Sequence, residues 1–406
     1  MSGPLSGVKV IDLSTVIFGP YAAQIMGDLG AEVIKIEGPR GDSTRQLGPA
    51  HHPGMAAVFM NLNRNKRGVM LDLAKPKGRE VLLRLVRDAD VLIHNLRPKP
   101  VAKLGIDYAS LSAVNPRLIY CTGVGYGSQG PYKDKPAYDD LIQGGGGFAT
   151  IIGQYLGGAP RYVPSAVADK ISGLTALYAI LAALYARAQT GRGQAIEAPM
   201  FEAVTSFIMT EHLYGSVFEP AIGPTGYTRV MSKYRSPYAT RDGYVCAVPY
   251  TDKHWRDFFT EVGRPDLANN PAWATLAKRN EDIGTLYEHV SVILKSRSTA
   301  EWIETFTRLD IPVQAVNSLD DLIHDPHLAA VGFWSEYDHP TEGRVRNIGI
   351  PTKFSDTPGA VRRHTPRLGE HTVEVMREAG YSDAEIEAII GEGAAGDGRE
   401  KNLFGG

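Results

Sequence analysis

Cysteine is scarce. The 406 residues hold only Cys121 and Cys246, far apart in the chain. That excludes a disulfide framework and finger-type zinc spacing, and it points to a reducing, cytoplasmic setting. An excess of one charge is also missing: the formal net charge is −2, so nothing global favours nucleic acid or an anionic membrane. Long apolar runs are few. The most apolar, LTALYAILAALYA (174–186), is too short to span a bilayer and is expected to form a buried helix. The opening MSGPLSGVKVIDLS lacks the apolar stretch of a signal peptide. No Walker loop, HExxH or GxSxG occurs, and no internal repeat. The segment STVIFGP has one glycine where a dinucleotide fingerprint needs three. Glu37 stands where a ribose-binding acid would, but without those glycines a pyrophosphate cannot approach closely. His51, His52, His94, His212 and His254 show no metal-ligand spacing and read as surface or loop residues, and no metal site is expected.

What is present is ordinary in bulk, with 43% hydrophobic and 22% charged residues. The length implies two domains or one elaborated domain. The first 130 residues or so alternate apolar strands (VKVIDLS, AEVIKIE, GVMLDL, DVLIHNL, RLIYCTGVG) with amphipathic helices. Pro20 fits the first position of one such helix and Gly30 the cap beyond its end. This pattern implies α/β architecture: a Rossmann-like parallel sheet covered on both faces. The expected division is a large domain over 1–200, a linker over 201–230, a smaller α+β domain over 231–330, and a C-terminal segment, 331–406, returning to the large domain. The smaller domain carries a hairpin at YATRDGYVCAVPY, with its turn at Asp-Gly. The Gly-rich tail GEGAAGDG…LFGG is expected to fray.

Ligands of such sheets lie outside the carboxyl ends of the strands. Basic residues recur there: Arg40, Arg45, Lys75, Arg97, Lys99 and Lys103. Any one is a solvated loop charge on its own; six along one edge suggest a polyanion such as a nucleotide or coenzyme A. Asp169 opens the long apolar helix. It is either a capping residue or a carboxylate kept ionised by the helix N-terminus in a dry pocket, a usable nucleophile. Tyr138, Asp139 and Asp140 read as a helix start. Gly144–Gly147 lack the Lys-Ser/Thr of a phosphate loop and suit close backbone approach, as a pocket wall beside Asp169 with N–H groups for an oxyanion.

Several ordered stretches carry a family likeness: FGPYAAQIMGDLGAEVIKIEGPRGDSTR, NRNKRGVMLDL, DVLIHNLRP, LIYCTGVGYGSQGPYKDKPAYDDLIQ and YARAQTGRGQAIEAPMFEA. Together they resemble the class III coenzyme A-transferases, the CaiB/BaiF family, densely over residues 4–205. The resemblance implies an interlocked homodimer that exchanges coenzyme A between an acyl-CoA donor, succinyl-CoA among the candidates, and a carboxylic acid. It implies Asp169 as the catalytic nucleophile with Tyr138 beside it. It implies coenzyme A contacts at Val16, Arg40, Leu71, Leu73, Asn95, Arg97, Lys103 and Lys135. Two departures stand out. Many members have a lysine directly after LDL, where this chain has Ala74 and then Lys75. The glycine-rich loop expected near 225–240 reads TGYTRVMSKYRSPYAT instead. Related racemases place a histidine where Tyr138 stands, and a phenol, ordinarily titrating near ~10, is a poor base at neutral pH. A 2-methylacyl-CoA racemase and a non-catalytic coenzyme A-binding protein are the alternatives. For the acceptor's second carboxylate, Arg235, His212, Tyr214 and Lys233 are candidates.

Overall fold

The computed structural model describes residues 3–398. They form two compact units. One comprises 3–146, Pro164–Phe207 and 329–398; the other comprises Gly147–Val163 and Ile208–Leu328. Residues Gly147–Val163, expected in the large domain, belong instead to the second unit.

The first unit is built on six parallel strands: β1 (Lys9–Asp12), β2 (Glu32–Glu37), β3 (Lys66–Leu71), β4 (Val91–His94), β5 (Ile119–Val124) and β6 (Ala195–Pro199). A two-residue strand, Ala395–Gly396, pairs antiparallel on the outer edge of β3, so the order runs from it through β3-β2-β1-β4-β5-β6. This is the Rossmann order, and the direction of winding reverses between β1 and β4.

Side chains alternate across the sheet. Ile11, Ile34, Ile36, Val69, Leu71, Leu92 and Tyr120 face a core with the helices Pro76–Val86, Tyr108–Val114, Thr372–Glu378 and Asp383–Gly391. Val10, Val33, Ile93 and Cys121 are buried on the other face. That face also carries Asp12, Lys35, Glu37 and Lys66, which are charges inside strands that read as apolar.

Pro20 is the third residue of its helix, Phe18–Asp28, rather than the first. The apolar run 174–186 lies inside a helix of 24 residues, Val167–Thr190, long and apolar enough by length and composition to cross a membrane. It packs against Phe18–Asp28 through Gly173, where a Cβ would sit 2.7 Å from the Phe18 carbonyl oxygen. The helix is buried on one side only; Leu174, Tyr178 and Tyr185 are 46%, 64% and 72% exposed.

The expected fraying of the Gly-rich tail does not extend to its start. Ala395 and Gly396 complete the sheet, while 399–406 lie outside the described residues. The preceding segment is stitched to β3: His371 N–H donates to the Gly68 carbonyl (2.8 Å), Gly68 N–H to His371 Nδ1 (3.2 Å), and Met70 N–H to Thr372 Oγ1 (3.0 Å). An open edge strand is thereby covered.

The second unit has a three-stranded antiparallel sheet, Tyr238–Ala239, Tyr244–Ala247 and Val313–Ala315. The hairpin turns at Arg241-Asp242-Gly243, where Asp-Gly implied it. Trp255, Phe258, Phe259, Tyr287, Trp302 and Phe306 fill its aromatic core.

Candidate active site

At the carboxyl end of β1 the chain must turn from strand into the helix Phe18–Asp28. It does so with Val16 at φ 70°, a left-handed conformation that a β-branched residue adopts only under constraint. The constraint is visible. Val16 N–H donates to both Asp42 oxygens at 3.2 Å, and Thr15 exchanges two bonds with Asn95, N–H to Oδ1 at 2.9 Å and Nδ2 to the Thr15 carbonyl at 2.8 Å. Lys35 Nζ donates to the Ser14 carbonyl (2.9 Å) and to Asp42 (3.2 Å). The Thr15–Asn95 pair ties the ends of β1 and β4, the place where this sheet order opens a ligand crevice.

Beneath this turn the buried charges are matched. Lys66 Nζ spends its three protons on Asp12 (2.9 Å), Asn63 Oδ1 (2.8 Å) and the Pro20 carbonyl (2.9 Å). Burial alone would raise Asp12, but Lys66 and Lys35 offset it and hold the carboxyl below its usual range. Burial would lower Lys35, and Asp12, Asp42 and Glu37 hold it above its usual value instead. Glu37 is gripped by Arg45 through Nε at 2.8 Å and Nη2 at 2.6 Å, which overcomes burial and keeps it low.

Of the six basic residues expected at this edge, two are therefore occupied. Arg45 is buried against Glu37, and Lys75 Nζ donates to the Glu392 carbonyl at 2.5 Å. Arg40, Arg97, Lys99 and Lys103 are exposed after β2 and β4, with no ion-pair partner among the described residues. Lys135 is exposed after β5, its Nζ 3.7 Å from the centroid of the Tyr132 ring. Leu71 is fully buried in the core, so only its backbone can meet a ligand; Leu73 is half-buried. Two histidines read as surface residues are buried. His94 ends β4, bonded to Tyr120 Oη at 2.6 Å, and burial pushes its pKa down to about 4; His212 closes the helix Met200–His212.

Asp169 is the third residue of the helix Val167–Thr190. It does not cap that helix: Ala166 occupies the cap position with no side-chain bond. The free N–H of Asp169 is satisfied from elsewhere, by Asp139 Oδ1 at 3.0 Å. Asp139 begins the helix Asp139–Gly145 and is itself oriented by Gln143 Nε2 at 2.6 Å, which also reaches the Ser165 carbonyl at 3.1 Å. Asp169 lies four residues before Gly173 and so on the same helix face, the side that meets Phe18 just after the strained turn. Burial, and then the Asp139 carboxylate, push its pKa up to about 7. Desolvation and a like charge thus raise this carboxyl, where a helix N-terminus alone would lower it.

Tyr138 precedes Asp139 and is 66% exposed. A side chain at Gly145 would meet Phe201, one at Gly144 would meet nothing, and Gly146 N–H is taken by the Ile142 carbonyl at 2.8 Å. The acid beside Asp169 is the residue that sequence reasoning passed over. Its only trace was an acid at the start of a helix, which many helices have.

A family model described as CoA-transferase family III matches residues 5–372. The succinyl-CoA–L-malate CoA-transferase beta subunit of Chloroflexus aurantiacus is 34% identical, over 94% of this chain and 96% of that protein. The succinate–glutarate CoA-transferase of Agrobacterium fabrum is 32% identical, over 92% and 95%. The crystal structure of a CaiB/BaiF family protein from Brucella suis superposes with a TM-score of 0.79 at 31% identity, covering 93% of this chain and all of that one.

Proposed function

Because this chain belongs to CoA-transferase family III, we propose that it moves coenzyme A from an acyl-CoA donor to a carboxylic acid through covalent intermediates on Asp169. The observation that carries this reading is a half-buried carboxylate at a helix start whose pKa is pushed up to about 7 by burial and Asp139. A more basic carboxylate is a stronger nucleophile, and near neutral pH much of it is still ionised.

An Asp169 oxygen attacks the donor thioester carbonyl; the carbon–sulfur bond breaks, giving an acyl-aspartyl anhydride and the thiolate of coenzyme A. The thiolate attacks the aspartyl carbonyl, releasing the donor acid and leaving an aspartyl-CoA thioester. An acceptor carboxylate attacks that thioester, forming a second anhydride and thiolate. The thiolate then attacks the acceptor's acyl carbon, which frees Asp169 and the new acyl-CoA. No proton has to be moved in any step, so an acid–base partner is unnecessary, but water must be kept out to protect the anhydrides. Asp139 fixes the Asp169 backbone, and Tyr138 supplies a hydroxyl at the entrance.

The anionic coenzyme A lies along the strand ends, over the Val16 turn and Asn95, with the exposed Arg40, Arg97, Lys103 and Lys135 toward its phosphates. The backbone near Leu71 and Leu73 completes its contacts. The relatives named for malate and glutarate favour a dicarboxylate acceptor and succinyl-CoA as donor. A second copy of the chain covers the exposed face Leu174, Tyr178 and Tyr185, as an interlocked homodimer.

The test is chemical trapping. Protein incubated with succinyl-CoA and then hydroxylamine should carry a hydroxamate on the peptide holding Asp169. Exchange of coenzyme A without any such modification would remove the covalent route.

A further inference from the structure

Where the C-terminal segment meets β3, three imidazoles of the first unit lie together. The ring centroids of His339 and His364 are 4.9 Å apart, and those of His364 and His371 are 6.5 Å apart. His339 and His371 are buried.

Their hydrogen bonds fix which nitrogens carry protons. His339 Nε2 meets the Thr365 carbonyl at 2.8 Å, so the proton of that ring sits there. Its Nδ1 accepts the N–H groups of Thr341 and Glu342, each at 3.2 Å, and is therefore bare. His371 Nδ1 likewise accepts the Gly68 N–H of β3 at 3.2 Å. A proton added at either Nδ1 would turn donor against donor and leave a buried N–H without an acceptor. His364 differs. Its Nε2 donates to Glu370 at 2.9 Å, a bond that a charged ring would keep and strengthen.

Charges of both signs face these rings. Around His371 stand Glu370, Glu374, Arg363 and His364. From β3, Arg67 takes Glu374 at 2.9 Å as well as Glu32 and Glu378. Around His339 stand His364, Glu342 and Glu370, with the Tyr337 ring centroid 6.3 Å away. Glu342 is met by His52 at 3.2 Å, and Arg45 reaches the Pro366 carbonyl at 3.3 Å. The helix Ala57–Leu62 offers only the Met60 carbonyl, to Thr365 Oγ1. Burial outweighs the acids and pushes both His339 and His371 below the usual imidazole value. An unfolded imidazole titrates near ~6.5. The stability these two rings lend is therefore full above that pH and is lost as pH falls through their lower native values.

We propose that His371, backed by His339, is an acid-released latch: a proton taken up at His371 Nδ1 frees residues 364–378 from the edge of β3. Gly68 and Met70 then lose their partners in that segment. The ladder between β1 and β2 contains no histidine and stays closed. The latch does not depend on the CoA-transfer reading.

Hydrogen–deuterium exchange of the full chain at pH 7.5 and pH 5.5 tests this, with protection corrected for the intrinsic rate. Peptides covering Gly68–Met70 and 364–378 should lose protection at the lower pH. The loss should be on the order of 10-fold for each histidine that takes up its proton on opening, and β1–β2 peptides should change less than about twofold. His371→Asn supplies an oxygen that accepts the Gly68 N–H and cannot be protonated, so its loss should be about 10-fold smaller than that of the wild type. Imidazole NMR of the wild type needs no variant: His371 should keep Nδ1 unprotonated down to the pH at which protection falls. Equal protection at both pH values would overturn the latch. So would a loss shared by β1–β2, which is general acid unfolding. An undiminished loss in His371→Asn, or a His371 that titrates with protection unchanged, would overturn it as well.

Discussion

Two places in the first unit bury carboxylates, and they treat them in opposite ways. Under the β1 turn, Asp12, Glu37 and Asp42 are sealed in with Lys35, Arg45 and Lys66, three of each sign, every one with a partner within hydrogen-bond reach. At the start of the helix Val167–Thr190, Asp139 and Asp169 are placed together with no cation paired to either among the described residues. The first arrangement pairs each carboxylate with a buried cation, and its product is a shape: the left-handed turn at Val16. The second leaves a carboxylate whose charge is disfavoured by burial and by a like neighbour. The same side chain is a fastener in one setting and, in the function we propose, a nucleophile in the other, and the difference lies in whether an opposite charge was buried with it.

The sharpest break in the comparison is to neutralise the reactive side. Asp169→Asn keeps the shape and should lower the rate of CoA-ester formation on the order of 10⁴-fold, followed by mass spectrometry of products. The same variant should melt higher than wild type, more so at pH 8 than at pH 5. The sign follows from the raised pKa of about 7. The unfolded carboxyl ionises near ~4, so native Asp169 binds the proton more tightly. Its contribution to stability is present at low pH and lost as pH rises through 7. Substituting Asn removes that loss.

Breaking the matched side should cost stability instead. Asp42→Ala leaves Lys35 buried without its direct carboxylate partner and frees the Val16 N–H, a loss of about 3–5 kcal/mol by denaturant titration. Asp139→Asn probes the reactive pair more gently. The proposed mechanism needs ionised Asp169, so on that reading the rate should rise with pH through about 7 in the wild type. Without the neighbouring charge that rise should begin at lower pH. The pH profile of kcat/KM reads it directly. Smallest of all, Val16→Gly should relieve the turn and change stability by only ~1 kcal/mol, toward the stable side, because release of strain is largely offset by the flexibility of glycine.

The parallel sheet and its covering helices were legible because apolar strands and amphipathic helices alternate with clear periods. Asp169 was singled out through likeness to a family, and its part in the reaction is a proposal. Its electrostatics were not: the sequence shows an acid at a helix start, and only the fold brings Asp139, thirty residues earlier, onto its backbone. Lys35 and Lys66 read as exceptions in otherwise apolar strands, and their partners Asp42 and Asp12 come from other strands and loops. The basic edge loses two of its six expected residues, Arg45 and Lys75, for a similar reason. Arg45 looks like Arg40 in sequence, yet a carboxylate eight residues earlier claims it completely. Charges are local in sequence, but their solvation is a property of the assembled unit.

The strand Ala395–Gly396 gives the first unit a particular biography. Its sheet begins at β1 and is finished only by residues made some 380 positions later, after the whole second unit has been synthesised. On the ribosome, residues 208–328 can collapse into their own aromatic core while the older β3 edge still waits for its cover. Until the C-terminal segment emerges, Gly68 and Met70 offer open backbone groups to any passing strand. A nascent chain stalled before residue 360 would therefore be sticky along one known edge, a vulnerability that a chaperone rather than the finished fold must guard.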